Sequence, residues 1–215
     1  MRPAAVSEPG PLPRNTAMIR ATNLTLYVGG TRSGKSEQAE AAALRAGGPV
    51  LYVATAETRQ NDASMLERIR RHRVRRPAHW RTLECPCRLA EAVAAALEQP
   101  PFARRAGGQE PGPTVLVDCV TLWMANILFR LPDPDNPALF EAAVHAEVEA
   151  LLAVAERSAC RWLLVSGEVG LGGTAPDAVS RHYADGLGLA NQLIAARAGD
   201  VFLVVAGRLL RLEKG

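Results

Sequence analysis

The feature that most constrains this chain is an eight-residue segment, Gly29 to Ser36, with the sequence GGTRSGKS. It fits the phosphate-loop pattern G-x-x-x-x-G-K-[ST] at every fixed position. A short apolar run, 24–28, precedes the segment, and a helix-forming run, 37–44, follows it. A strand, a glycine-rich loop and a helix in this order are the setting that a phosphate loop requires. The segment therefore predicts a nucleotide-binding α/β fold.

The residue types of this loop suit a bound polyphosphate. Glycine at three positions lets the backbone turn successive N–H groups inward, and the helix that follows directs its positive end at the same anion. Lys35 is expected to reach the β- and γ-phosphates, and the Ser36 hydroxyl to ligate Mg²⁺. The predicted nucleotide-binding residues of the loop are Gly29, Gly30, Thr31, Arg32, Ser33, Gly34, Lys35 and Ser36.

Apolar runs separated by helical patterns continue along the chain. The predicted strands are 24–28, 49–56, 114–118, 162–165 and 201–205. The predicted helices are 37–44, 62–73, 88–98, 120–129, 138–156 and 176–198, the last interrupted by Gly186 and Gly188. This alternation predicts a single domain, residues 21–215, with a mostly parallel sheet flanked by helices on both faces. Proline-rich residues 1–20 are predicted to form a disordered tail, and residues 99–113 a surface loop.

Ligands of parallel sheets bind where the strands end. Thr55 and Ala56 end the second predicted strand, and Asp118 ends the third. We predict that Asp118 contacts a magnesium ion beside the phosphate loop, although it could also cap the helix that follows. Glu168, after the fourth strand, could reach the same site or remain a solvated loop carboxylate.

A strongly basic segment follows the second predicted strand. Residues 68–81 contain seven arginines interleaved with His72, His79 and Trp80, and Asp62 is placed to cap the helix that begins this region. One interpretation is a solvated basic helix. A second is a nucleic-acid surface, because arginine beside an aromatic ring suits phosphate and base contacts. A third is that the arginines hold a nucleoside triphosphate while His72 reacts with it.

The composition limits the partners and the cellular compartment that we expect for this chain. The formal net charge is only +3, so the overall charge does not demand a polyanionic partner. The four cysteines lack convincing zinc-site spacing and are expected to be reduced thiols. No apolar run approaches the length of a membrane span, and no secretory signal is apparent. We therefore expect a cytoplasmic protein without a membrane span.

Several segments together resemble the bifunctional adenosylcobinamide kinase/adenosylcobinamide-phosphate guanylyltransferase family of cobalamin biosynthesis. The phosphate loop and the run 52–56 match that family, as do Glu168 to Gly170 and Asn191-Gln192. The most specific part is a string within 68–84 that reads Arg-Ile-x-x-His and then Arg-Pro-x-x-Trp-Arg-Thr-x-Glu. The resemblance covers residues 24–205. Ser64, where many members carry an acidic residue, is a departure from the pattern.

The resemblance implies two reactions. The family phosphorylates adenosylcobinamide with ATP or GTP, then transfers GMP from GTP through a guanylylated histidine to give adenosylcobinamide-GDP. It implies a RecA-like P-loop NTPase fold, a homotrimer and no nucleic-acid partner. The catalytic residues would be His72 and Lys35, and the Mg²⁺ ligands Ser36 and Asp118. The remaining nucleotide contacts would be Ala54, Thr55, Ala56, Arg73, Val74, Arg75, Arg76, Glu84 and Asp118.

Two other functions stay open at this point. One is a P-loop kinase of another small alcohol, in which the arginine-rich segment serves only as a lid. The other is a nucleic-acid-binding P-loop protein, which would bind single strands with a steep dependence on salt.

Overall fold

The computed structural model describes residues 21–57, 63–103, 111–173 and 175–214. Its fold is built around a seven-stranded sheet. Its strands are β1 (Ala21–Gly29), β2 (Val50–Ala54), β3 (Arg81–Glu84), β4 (Thr114–Asp118), β5 (Arg161–Gly167), β6 (Ala198–Val205) and β7 (Arg208–Arg211). The strand order across the sheet is β3-β2-β4-β5-β1-β6-β7. The pairings are parallel except that of β6 with β7. The predicted α/β class, with a mostly parallel sheet, is confirmed.

The described helices are α1 (Lys35–Ala46), α2 (Ala63–Arg75), α3 (Leu89–Leu97), α4 (Val120–Leu128), α5 (Pro137–Arg157) and α6 (Ala178–Arg197). They cover both faces of the sheet. Side chains alternate along each strand, so Tyr27 and Leu116 pack with alanines of α1 on one face. Leu26 and Val117 point to the opposite face and pack with α4, α5 and α6. The helices on both faces are as predicted.

Two strands, β3 and β7, are not among the predicted strands. Both lie at an edge of the sheet, and both are short and largely exposed. The sequences are RTLE and RLLR, which contain no continuous apolar run. An edge strand pairs on one side only, so it does not need the apolar pattern that identifies an inner strand.

The predicted interruption of the last helix is wrong, because α6 runs unbroken through Gly186 and Gly188. Gly186 is a packing position. A Cβ atom there would lie 2.2 Å from a ring carbon of Phe140 on α5. The glycine therefore allows two helices to approach closely, and it does not end a helix.

The remaining predictions on connecting segments are tested only in part. The tail at 1–20 and the capping residue Asp62 lie outside the described residues. Only the two ends of the 99–113 loop are described, and Phe102 within it is 3% exposed and packs in the core. The surface-loop prediction is wrong at that residue. Among the described residues, none of the helices is both long and apolar enough to cross a membrane.

Candidate active site

The order of the strands brings the phosphate loop and Asp118 together at the carboxyl ends of the inner strands, which we call the carboxyl edge of the sheet. The loop follows β1, Asp118 ends β4, and β5 alone separates the two strands. Since the three strands are parallel, their carboxyl ends meet at this edge. The Ser36 hydroxyl donates to Asp118 Oδ1 over 3.3 Å. The two predicted metal ligands are therefore in contact.

The loop between β1 and α1 has a tightly turned backbone. Gly34 has a φ of 94°, a conformation that favours glycine, and it is the residue before the first turn of α1. At Gly29 a Cβ atom would lie 2.4 Å from the Val204 carbonyl oxygen. Lys35 Nζ donates to the Gly30 carbonyl over 2.9 Å, which keeps its charge at the loop.

The turn between β6 and β7 supports this loop from the side. The Gly207 amide donates to the Ser33 carbonyl over 2.8 Å, and Gln38 Nε2 donates to the Gly207 carbonyl over 2.8 Å. The C-terminal hairpin thus holds the loop at Ser33 and the first turns of α1 at Gln38.

Asp118 is the centre of a hydrogen-bonded cluster. Tyr52 donates its hydroxyl to Oδ2 over 2.6 Å, and His72 Nδ1 lies 3.2 Å from the same oxygen. Burial alone would raise the pKa of Asp118, but the hydrogen bonds from His72, Tyr52 and Ser36 outweigh it and hold the pKa below its ordinary value. The alternative role as a helix cap is wrong, because the residue that caps α4 is Cys119 and no side chain bonds there.

The contact with Asp118 determines what His72 can do. A neutral imidazole carries its proton on one nitrogen and a lone pair on the other. When Nδ1 donates its proton to Asp118, the lone pair lies on Nε2. An ionised Asp118 thus favours the tautomer whose lone pair lies on Nε2, and it fixes the plane of the ring.

Helix α2 is held at this edge largely by its basic side chains. Arg73 pairs with Glu84, and Arg75 pairs with Glu37 and with Glu40, the latter over 3.2 Å. The Arg76 guanidinium lies over the Tyr52 ring, 3.5 Å from its centre. The predicted nucleotide-binding arginines of α2 and its end therefore already contact the residues around Asp118. Val74, by contrast, is 73% exposed.

Two pockets meet at His72. One, of about 490 Å³, is lined by residues 31–36 of the phosphate loop, by Glu37 of α1 and by Glu67, Arg71, His72 and Arg75 of α2. The other lies between β2, α2 and β4. Its lining includes Ala54, Ala56, His72, Arg73, Arg76, Glu84 and Asp118. Most of the predicted site residues therefore line one or the other of two pockets, and His72 lines both.

Thr55, a predicted nucleotide contact, is a buried residue that links the ends of two strands. It is fully buried, and its hydroxyl donates to the Cys119 carbonyl over 2.7 Å and accepts from the Cys119 amide over 2.8 Å. These bonds join the ends of β2 and β4 and so fix the backbone that presents Asp118. The Glu168 carboxylate accepts from the Gly170 amide of its own loop over 2.7 Å.

Glu40 and Tyr52 are two site residues that the sequence analysis missed. Burial raises the pKa of Glu40, an effect that Arg75 opposes and Asp118 reinforces. One ligand atom from each of Glu40, His72 and Asp118 lies within 4.8 Å of the other two. The available signal for Glu40 was its spacing, since it follows Ser36 by four residues and so lies on the same face of α1. For Tyr52 the available signals were its place in β2 and in the run 52–56 that resembles the family, and neither indicates a hydrogen bond to Asp118.

Comparison with known proteins identifies close relatives. A model of the family described as cobinamide kinase / cobinamide phosphate guanyltransferase matches residues 25–212. The bifunctional adenosylcobalamin biosynthesis protein CobU of Salmonella typhimurium is 37% identical over 190 residues, which cover 86% of this chain and 96% of that protein. The CobU of Escherichia coli is 37% identical over 189 residues, with the same coverage. The bifunctional adenosylcobalamin biosynthesis protein CobP of Pseudomonas aeruginosa is 41% identical over 188 residues, 87% of this chain and 96% of its own.

Proposed function

Because this chain belongs to the cobinamide kinase / cobinamide phosphate guanyltransferase family, we propose that it carries out both reactions, and that His72 is the residue that takes up GMP. It phosphorylates adenosylcobinamide with ATP or GTP, then uses GTP to convert the phosphate to adenosylcobinamide-GDP. The observation that carries the assignment of His72 is its contact with Asp118. That carboxylate lies 3.2 Å from His72 Nδ1 and 3.3 Å from the Ser36 hydroxyl of the phosphate loop.

The guanylyl transfer follows from the tautomer that Asp118 selects. The Nε2 lone pair of His72 attacks the α-phosphorus of GTP, a P–N bond forms, and pyrophosphate leaves with the electrons of the broken P–O bond. Nδ1 keeps its proton, and ionised Asp118 stabilises the positive ring that forms. In the second step a phosphate oxygen of adenosylcobinamide phosphate attacks the same phosphorus, and the ring leaves with its original lone pair.

The residues beside the loop fit a magnesium ion. Mg²⁺ prefers oxygen ligands, and two neighbouring positions of its octahedron lie roughly 2.9 Å apart. The Ser36 hydroxyl and Asp118 Oδ1 are 3.3 Å apart, so both could bind one ion after a small adjustment. When bound, Mg²⁺ would neutralise part of the charge of the phosphates. We therefore propose Ser36 and Asp118 as its protein ligands.

The basic residues would bind the phosphates. Lys35 is 8% exposed and bonds within the loop, while Arg73 and Arg75 pair with carboxylates at the site. A triphosphate in the phosphate-loop pocket would offer Arg75, which lines that pocket, a stronger anion than a surface carboxylate, and Arg73 lines the other pocket that His72 borders. We propose that the two arginines exchange partners when GTP binds, which would also weaken the repulsion between GTP and a phosphorylated acceptor.

The homotrimer is a further part of the proposal, and the exposed apolar side chains of the C-terminal hairpin support it. Val205 is 59% exposed, Leu210 60% and Leu212 45%. Leu210 lies on the edge strand β7, Val205 ends β6 and Leu212 follows β7, and apolar side chains exposed on and next to an edge strand are typical of an interface between chains. Analytical ultracentrifugation tests this point. Leu210→Glu should shift a trimer to smaller species, and a wild-type protein that sediments as a monomer would contradict the proposal.

Incubation with α-labelled GTP tests the role of His72. The label should become bound to the protein, be stable in base and lost in acid, and map to the peptide that contains His72. His72→Ala should abolish the label and the guanylyl transfer but retain kinase turnover, whereas Lys35→Ala should weaken both reactions. His79→Ala is the matched control, since His79 is an exposed histidine seven residues away. A folded wild-type protein that takes up no label, or a label on another residue, would refute the assignment.

A further inference from the structure

Three side chains from three different elements converge beside the phosphate loop with the chemistry of a metal site. They are Glu40 of α1, His72 of α2 and Asp118 of β4, whose side chains are 11%, 19% and 7% exposed. One ligand atom of each lies within 4.8 Å of the other two. A tetrahedral zinc ion holds nitrogen and oxygen ligands roughly 3.3–3.6 Å apart. The 3.2 Å between His72 Nδ1 and Asp118 Oδ2 is close to that spacing.

We propose that Glu40, His72 and Asp118 form a binding site for a transition-metal ion, with Zn²⁺ the best fit, in the nucleotide-free protein. Its ligand set differs from that of Mg²⁺, which prefers oxygen and would bind Ser36 and Asp118. Imidazole with carboxylates suits Zn²⁺. Three protein ligands leave a fourth position open, and His72 borders both pockets, so a water molecule or a phosphate oxygen can reach the metal.

The groups around the three ligands support this site. Tyr52 donates to Asp118 Oδ2 over 2.6 Å, and Ser36 donates to Asp118 Oδ1 over 3.3 Å. Arg75 Nη2 donates to Glu40 Oε1 over 3.2 Å and so restrains that carboxylate. Such outer contacts orient metal ligands and strengthen binding. The carboxylates are therefore already held close to His72 before a metal arrives.

A metal at this site would prevent His72 from acting as a nucleophile, a consequence that rests on the proposed function. A neutral imidazole has a single ring nitrogen with an available lone pair. If the metal binds that nitrogen as Nε2, the nucleophile is blocked directly. If it binds Nδ1, the ring proton must be on Nε2, which then has no lone pair to attack GTP. Zn²⁺ bound to either nitrogen would thus inhibit guanylylation.

Calorimetric titration of the nucleotide-free, full-length protein with Zn²⁺, in excess Mg²⁺, tests the site itself. Wild type should bind one Zn²⁺ per chain. Glu40→Gln and His72→Ala should each weaken this binding at least about tenfold, as expected for a lost ligand. Glu37→Gln is the matched control, because Glu37 lies on the same helix and pairs with the same Arg75 but is not in the cluster. Melting curves confirm that each variant is folded.

Several outcomes would overturn the proposal. These are no saturable Zn²⁺ binding, binding that Glu40→Gln and His72→Ala leave unchanged, and binding that is lost in Cys87→Ser, which would place the metal at the thiols. A parallel assay measures the uptake of α-labelled GTP before and after Zn²⁺ is added, with recovery by a chelator. Zinc binding without any uptake of label would refute the proposed function and leave the site intact. Uptake of label without zinc binding would refute only the site.

Discussion

Replacement of Tyr52 by phenylalanine tests the link between Asp118 and His72. The change removes one hydroxyl, which donates to Asp118 Oδ2 over 2.6 Å, and keeps the ring. That ring is fully buried, stacks on Trp80 with centroids 6.3 Å apart and lies 3.5 Å from the Arg76 guanidinium. These packing contacts should survive. The variant therefore isolates a single hydrogen bond to a buried carboxylate.

The expected loss of stability follows from the charge of the acceptor. Hydrogen bonds to charged groups contribute about 1.5–3 kcal/mol, and Asp118 keeps its contacts with His72 and Ser36, so we expect a loss of about 2 kcal/mol in the free energy of unfolding. Tyr183→Phe is the matched control. Its hydroxyl donates over 3.0 Å to the Thr121 backbone carbonyl, a neutral acceptor. That variant should lose only about 1 kcal/mol.

The effect of Tyr52→Phe should depend on pH. The folded-state pKa of Asp118 is lowered, so this carboxylate stabilises the protein above the pKa of an unfolded aspartate, about 3.9, and the contribution is lost as the pH falls through the folded pKa. Tyr52→Phe removes one of the bonds that lower this pKa. The difference in stability between wild type and variant should therefore be largest near neutral pH and shrink in acid, when Asp118 is protonated.

Urea denaturation followed by tryptophan fluorescence, at neutral and at acid pH, measures these differences. The uptake of α-labelled GTP provides a second measurement. Looser alignment of Asp118 and His72 should slow guanylylation roughly tenfold in Tyr52→Phe, as for other outer contacts of a site, and leave Tyr183→Phe unchanged. Equal losses of stability in the two variants at every pH, with guanylylation unaffected in both, would refute the reasoning.

Two further predictions concern the helices behind the site. Gly186→Ala should lower the free energy of unfolding by about 1–2 kcal/mol, because the new Cβ would lie 2.2 Å from the Phe140 ring. Gly188→Ala should raise the free energy of unfolding by up to about 1 kcal/mol, because a Cβ at Gly188 meets nothing within 4 Å and alanine favours the helix. Urea titration checks both signs, and equal effects would contradict the packing argument. Asn136→Ala should lower the free energy of unfolding by about 1 kcal/mol, because the Asn136 side chain accepts from the Ala138 amide at the start of α5. Asn136→Asp keeps a capping oxygen and is the control. If the two variants melt at the same temperature, the cap does not contribute.

The elements of this fold differ in how much signal they carry in the local sequence. The phosphate loop was recognisable because its chemistry depends on residues that are adjacent in the chain. The inner strands were recognisable because burial on both faces requires continuous apolar runs. The edge strands β3 and β7 carry no such runs, and Gly186 was misinterpreted because its neighbour, Phe140, lies on another helix.

The sequence by itself determined that this chain forms a parallel α/β sheet with a phosphate loop, and family resemblance selected His72 among the histidines. Only the tertiary structure decided which groups surround that imidazole. Glu40, Tyr52, His72 and Asp118 come from four elements, and the order of the strands brings them to the carboxyl edge of the sheet. Local patterns depend on neighbours along the chain, whereas this cluster depends on how distant segments pack, so no local pattern could have predicted it.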